Sequence, residues 1–124
     1  MKIALTALLA YAALIFTVSS LPNSTVEHSS GWFNIPQAAK HVAEFALFGF
    51  LMSNVMWSVN GEQLQKTFAS GFALSVLYGV SDELHQGFVP TRYCTGFDMI
   101  MDAVGGLIGV AVFLGYKKLT RKEN

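Results

Sequence analysis

Asp82, Glu83, His85 and Gln86 fall within five positions of one another, in the stretch SDELHQGFVPTR, and Arg92 closes that stretch. Carboxylates and imidazoles so close together can ligate a divalent metal that activates water. A buried glutamate such as Glu83 can serve as a general acid or base. An arginine can hold a phosphate through paired, charge-assisted hydrogen bonds, a role that lysine fills less well. Further upstream, Lys40 and Glu44 are four positions apart and His41 and Glu44 three, which places them on one face of a helix. Downstream, Asp98 and Asp102 repeat the spacing of four. The setting is unusual, because Thr67–Ser81, directly before the cluster, carries no charge at all.

The elements that position these groups are apolar. Of the 124 residues, 52% are hydrophobic and 13% charged, the latter about half the share usual in soluble domains. Segments of about 20 apolar residues span the roughly 30 Å hydrocarbon core of a bilayer. The sequence predicts an all-α, integral membrane four-helix bundle occupying residues 1–124 as a single domain. Its helices are expected at about 3–21, 41–59, 67–87 and 97–116. The first segment also has the outline of a signal peptide, but its apolar run is long and Val18-Ser19-Ser20 is a poor cleavage site, so it is read as retained. With the amino terminus inside, Lys2, Lys66, Lys117, Lys118, Arg121 and Lys122 face the cytoplasm, and only Lys40 and Arg92 lie outside. The positive-inside rule therefore predicts both termini in the cytoplasm. The zero net charge excludes a nucleic-acid partner. Gly31-Trp32-Phe33 is expected at the headgroup level, and the single Cys94 reads as a small apolar filler.

That topology brings the polar residues to one depth, near the outer headgroups. Lys40, His41 and Glu44 open the second helix. Asp82, Glu83, His85 and Gln86 end the third. Asp98 and Asp102 open the fourth, and Arg92 lies in the loop before it. Asp82 is expected to share a face with His85 and Gln86. Gly71, Ser75, Gly79 and Glu83 are each four apart, and Asp98, Asp102, Gly105 or Gly106, and Gly109 make a second stripe. Small residues let membrane helices approach closely, so these stripes are expected to pack the third and fourth helices together and aim Glu83, Asp98 and Asp102 inward. Taken singly, Lys40 or His41 is an interfacial anchor and Asp98 a charge suited to a helix start. Taken together, on three helices and a loop, the set reads as a buried polar site, with Arg92 neutralising some of its acids.

The runs DELHQGFVPTR and FDMIMDAVGGLIG resemble the signature of the VanZ-like family of small bacterial membrane proteins. The shared positions are Asp82, Glu83, Gln86, Phe88, Pro90, Arg92, Asp98 and the glycines Gly105, Gly106 and Gly109, with Lys40 and His41 opening a helix upstream. The resemblance covers about 40–116. The chain departs from it at Thr91, where the family often has Gly, and at Asp102, where it often has Asn. The resemblance implies a four-helix protein of the bacterial inner membrane. The member that gives the family its name is associated with resistance to the glycopeptide teicoplanin, so an effect on glycopeptide susceptibility is part of the expectation.

Four readings of the polar site compete. In the first, Arg92 and Lys40 bind the phosphate of an envelope lipid or lipid-linked glycan precursor at the outer leaflet, with no cofactor and no metal assigned. In the second, His41, Glu44, Asp82, Glu83 and His85 ligate a metal in a membrane-embedded hydrolase. However, DELH is not a zinc spacing, and no nucleophile stands beside a base. The third is transport, which calls for a homo-oligomer and is disfavoured by the apolar cytoplasmic halves of the helices. In the fourth, the cluster only fixes helix registry. The first is preferred, against the difficulty that the cluster holds more acids than bases.

Overall fold

The computed structural model describes residues 1–23 and 36–122. It contains four helices: α1 Lys2–Ser19, α2 Gln37–Val59, α3 Leu64–Gln86 and α4 Gly96–Lys122. No strand occurs among the described residues. The observed helices outrun the expected spans at several ends, because hydropathy marks what suits hydrocarbon whereas caps and turns decide where a helix stops. Pro36 precedes α2 with φ −53°, so that helix starts at Gln37. Thr95 caps α4: its Oγ1 accepts the Asp98 N–H at 3.0 Å and donates to Asp98 Oδ2 at 2.7 Å. This is a threonine N-cap, with the Thr95 hydroxyl rather than its N–H bonded to Asp98. Gly31-Trp32-Phe33 lies outside the described residues.

α2 packs against all three other helices. Phe45, Phe48 and Val55 of α2 join Leu8 and Ile15 of α1 in one buried cluster, with Tyr78 of α3 stacked on Phe48 at 4.5 Å. The glycines set the closest approaches. A Cβ on Gly105 would overlap the Val42 carbonyl oxygen, one on Gly109 the Ala46 carbonyl oxygen, and one on Gly49 the Gly106 carbonyl oxygen. The α4 stripe therefore meets α3 as expected, through Asp102 and Gly106, but Gly105 and Gly109 make its closest approach to α2. The α3 stripe divides its contacts: Gly71 lies against Ser53 of α2, Gly79 against Asp102 and Phe45, and Ser75 against Gly106.

α1, α2 and α4 are long and apolar enough to cross a membrane. α3 has 23 residues, about 34 Å at 1.5 Å per residue, so it too is long enough. It falls short in apolarity because Thr67, Ser75, Asp82, Glu83 and Gln86 are part of it, and all of these are buried against its neighbours. Outward surfaces are apolar, with Leu9, Leu14, Phe16, Leu77, Ile100 and Val112 among the exposed side chains. Cys94 is exposed rather than a filler.

Candidate functional site

The C-terminal ends of α1 and α3 and the N-terminal ends of α2 and α4 meet at one end of the bundle. The expected polar residues gather there, but as two networks with a cavity beside them.

The first network joins α2, α3 and α4. His41 Nδ1 lies 2.7 Å from Asp102 Oδ1 and 3.8 Å from Glu83 Oε1. On the other edge of the ring, His41 Nε2 is 3.3 Å from the Gln37 amide and 3.9 Å from Asp98 Oδ1. Glu83 Oε2 accepts the Thr95 N–H at 3.2 Å, which ties α3 to the cap of α4. All three central residues are removed from solvent: His41 is 5% exposed, Glu83 0% and Asp102 1%. Gly79 makes room for Asp102, since a Cβ there would stand 3.0 Å from the Asp102 Cβ.

The second network joins α3 to the end of α1. Asp82 Oδ2 accepts hydrogen bonds from Ser19 Oγ at 2.9 Å and from Gln86 Nε2 at 2.8 Å. Gln86 Oε1 accepts from Arg92 Nη1 at 3.2 Å. Arg92 also donates to the Leu21 carbonyl (2.8 Å) and the Val18 carbonyl (3.0 Å). Arg92 thus places its positive charge at the carboxyl end of α1, where it complements the helix dipole. It makes no ion pair among the described residues, so its expected direct neutralisation of the acids is replaced by a relay through Gln86 to Asp82. Burial draws the guanidinium below its ordinary value, against the opposing pull of Asp82, Glu44 and Glu83. Arginine remains charged at neutral pH all the same. His85 turns away from Asp82, stacking on Phe16 at 4.5 Å and lying 2.9 Å from Ser20 Oγ.

The five residues considered as metal ligands therefore do not converge. His41 and Glu83 meet, Asp102 joins them, Asp82 and His85 belong with α1, and Glu44 lines the cavity. That cavity, about 110 Å³, is walled by Val18, Ser19 and Asn23 near the end of α1, by Gln37, Lys40, His41 and Glu44 of α2, and by Gln86 and Arg92. Its lining holds two cations, Lys40 and Arg92, and one acid, Glu44.

Sequence reasoning overlooked Ser19, Ser20, Gln37 and Thr95. The Thr95-x-x-Asp98 spacing before an apolar run was a readable capping signal. Ser19 and Ser20 carried no signal of their own, since their role depends on which helix α1 lies beside. Thr91, where the resembling family often has Gly, sits at φ 68°, a conformation that glycine adopts freely and β-branched residues rarely do. Its hydroxyl and carbonyl accept hydrogen bonds from Asn23, each at 3.1 Å.

A family model described as VanZ/LLP1 matches residues 3–118. No curated protein and no solved structure matches the chain.

Proposed function

The chain belongs to the VanZ/LLP1 family, and from that premise we propose that it is a multi-pass protein of the bacterial inner membrane that binds the phosphate headgroup of an envelope lipid or lipid-linked glycan precursor at the outer leaflet. The observation that carries this reading is the charge of the cavity. The polar end as a whole has more acids than bases, but the cavity lining has Lys40 and Arg92 against Glu44 alone. Asp82 is held by Ser19 and Gln86, and Glu83 and Asp102 lie in the network around His41, outside the cavity lining.

Arg92 is suited to the role by what fixes it. Its three hydrogen bonds to α1 and Gln86 use Nε and one N–H on each terminal nitrogen, which leaves a second N–H on each for a paired contact with phosphate oxygens. A volume of about 110 Å³ corresponds to a few water molecules at ~30 Å³ each. It suits a phosphate group. Orientation rests on the basic residues: Lys66, Lys117 and Arg121 lie at the opposite end, where Lys117 Nζ stands 5.6 Å from the Trp57 ring centroid and Arg121 5.3 Å. The aromatic ring marks a headgroup level, and the basic residues favour the cytoplasmic side.

The test is native mass spectrometry of the purified protein with a polyprenyl phosphate and, separately, with phosphatidylglycerol, comparing the parent with Lys40→Gln. One charge-assisted hydrogen bond contributes about 1.5–3 kcal/mol. The variant should therefore retain the phosphate-headed lipid at least about tenfold more weakly. Expression in a Gram-positive host should raise teicoplanin tolerance, and Lys40→Gln at equal membrane level should lower it again. Equal lipid retention by parent and variant would remove the headgroup reading.

A further inference from the structure

The network around His41 has a property that headgroup binding does not use. Two of its carboxylate oxygens, Glu83 Oε1 and Asp102 Oδ2, are buried and without any hydrogen-bond partner. A buried polar atom left unpaired is costly, and an ionised carboxylate more so. Both belong to side chains that are almost wholly enclosed, Glu83 at 0% and Asp102 at 1% exposed. Glu83 Oε1 points toward His41 Nδ1 at 3.8 Å. One ligand atom from each of His41, Glu83 and Asp102 lies within 4.8 Å of the others.

We propose that His41, Glu83 and Asp102 together bind one divalent transition-metal ion of the Zn²⁺ class inside the bundle. A neutral imidazole and two carboxylates carry two negative charges, which such an ion balances. Nitrogen and carboxylate oxygen at about 2.0–2.2 Å from the metal are the usual donors for zinc. Mixed imidazole and carboxylate donors suit this class better than Mg²⁺ or Ca²⁺, which prefer oxygen alone. The surroundings match what metal-binding histidines need. With Nδ1 on the metal, Nε2 carries the proton on the side where Asp98 Oδ1 lies 3.9 Å away, and a carboxylate behind a ligating imidazole favours that tautomer and orientation. Asp98 is itself held by the Thr95 hydroxyl. His41 also lines the cavity, which provides the entry path. The ion would hold α2, α3 and α4 together at their polar end. The inference stands independently of the headgroup reading.

The experiment uses the full chain in detergent, stripped with a chelator and then titrated with Zn²⁺, with Mg²⁺ as the comparison ion. Expected are about one Zn²⁺ per chain by elemental analysis, a rise in melting temperature with Zn²⁺ but not Mg²⁺, and visible d–d absorption when Co²⁺ replaces Zn²⁺. Glu83→Gln and His41→Ala should weaken Zn²⁺ binding at least about a hundredfold. Asp98→Asn should weaken it about 10–100-fold, as loss of an outer partner does, while Glu62→Gln at the far end leaves it unchanged. Stripped parent with intact helical circular dichroism that takes up no Zn²⁺ and shows no Co²⁺ bands would overturn the proposal, in favour of protonated carboxyls. This holds even if the ligand variants fail to fold. Uptake unaffected by Glu83→Gln or His41→Ala would also overturn it. Lipid retention and its dependence on Lys40 are read separately, so failure of one reading does not imply failure of the other.

Discussion

At the residue scale, the decisive side chains are those that tie one helix to another. Arg92 serves three acceptors on two elements, the carbonyls of Val18 and Leu21 and the Gln86 amide. A lysine presents a single point of charge and cannot reproduce that fork. Arg92→Lys is therefore expected to destabilise the protein by about 1.5–3 kcal/mol, read as a lower melting temperature in detergent. Thr91 offers a comparison free of contact effects. Alanine and glycine there both lose the hydroxyl that Asn23 uses, but only glycine adopts φ 68° without cost. Thr91→Gly should exceed Thr91→Ala in stability by about 1 kcal/mol, and equal melting temperatures would contradict the strain. At this scale the sequence was legible in part. The membership of the polar site could be read from spacing and depth. How Asp82 and Glu83, adjacent in the chain, separate into different networks could not. Consecutive helical residues point about 100° apart, and only the placement of α1 on one side and α4 on the other decides which carboxylate finds which partner.

At the scale of the elements, the small-residue stripes show how much a pattern reveals and where it stops. The spacing of four marked Gly105 and Gly109 as a face able to approach another helix. It did not say which helix, because a glycine face suits any neighbour with a matching groove, and α2 supplies it through the carbonyls of Val42 and Ala46. Gly109→Ala must push backbone rather than a flexible side chain, since its Cβ would meet the Ala46 carbonyl and the Phe50 N. It should separate α2 from α4 and lower stability by more than about 3 kcal/mol, in the range of severe packing defects. Gly115→Ala on the same helix meets nothing within 4 Å and should be neutral or stabilising by about 0.5–1 kcal/mol. Thermal unfolding of the two variants side by side checks the helix pairing, and similar behaviour would contradict it. The helix boundaries were legible only to within a turn, for a similar reason. The Thr95 cap and Pro36 set where α4 and α2 begin, and hydropathy is blind to both.

At the scale of the whole molecule, the first helix and the polar end depend on each other. Ser19 donates to Asp82, and the carbonyls of Val18 and Leu21 hold Arg92, so the end of α1 completes the site rather than merely leading into it. The membrane orientation proposed above follows from counting basic residues, and it has a direct test in the chain itself. Cys94 is the single cysteine, it is exposed, and it lies at the polar end, two residues after Arg92. If that end faces outward, a membrane-impermeant maleimide added to intact spheroplasts should label Cys94, with no engineered cysteine required. A cysteine placed at Glu62, in the turn at the opposite end, on a Cys94→Ser background, should react only after the membrane is opened. The reversed pattern would place the cavity and its cations at the cytoplasmic face. The headgroup proposed for the cavity would then belong to the inner leaflet, where a precursor is made rather than where a glycopeptide meets it.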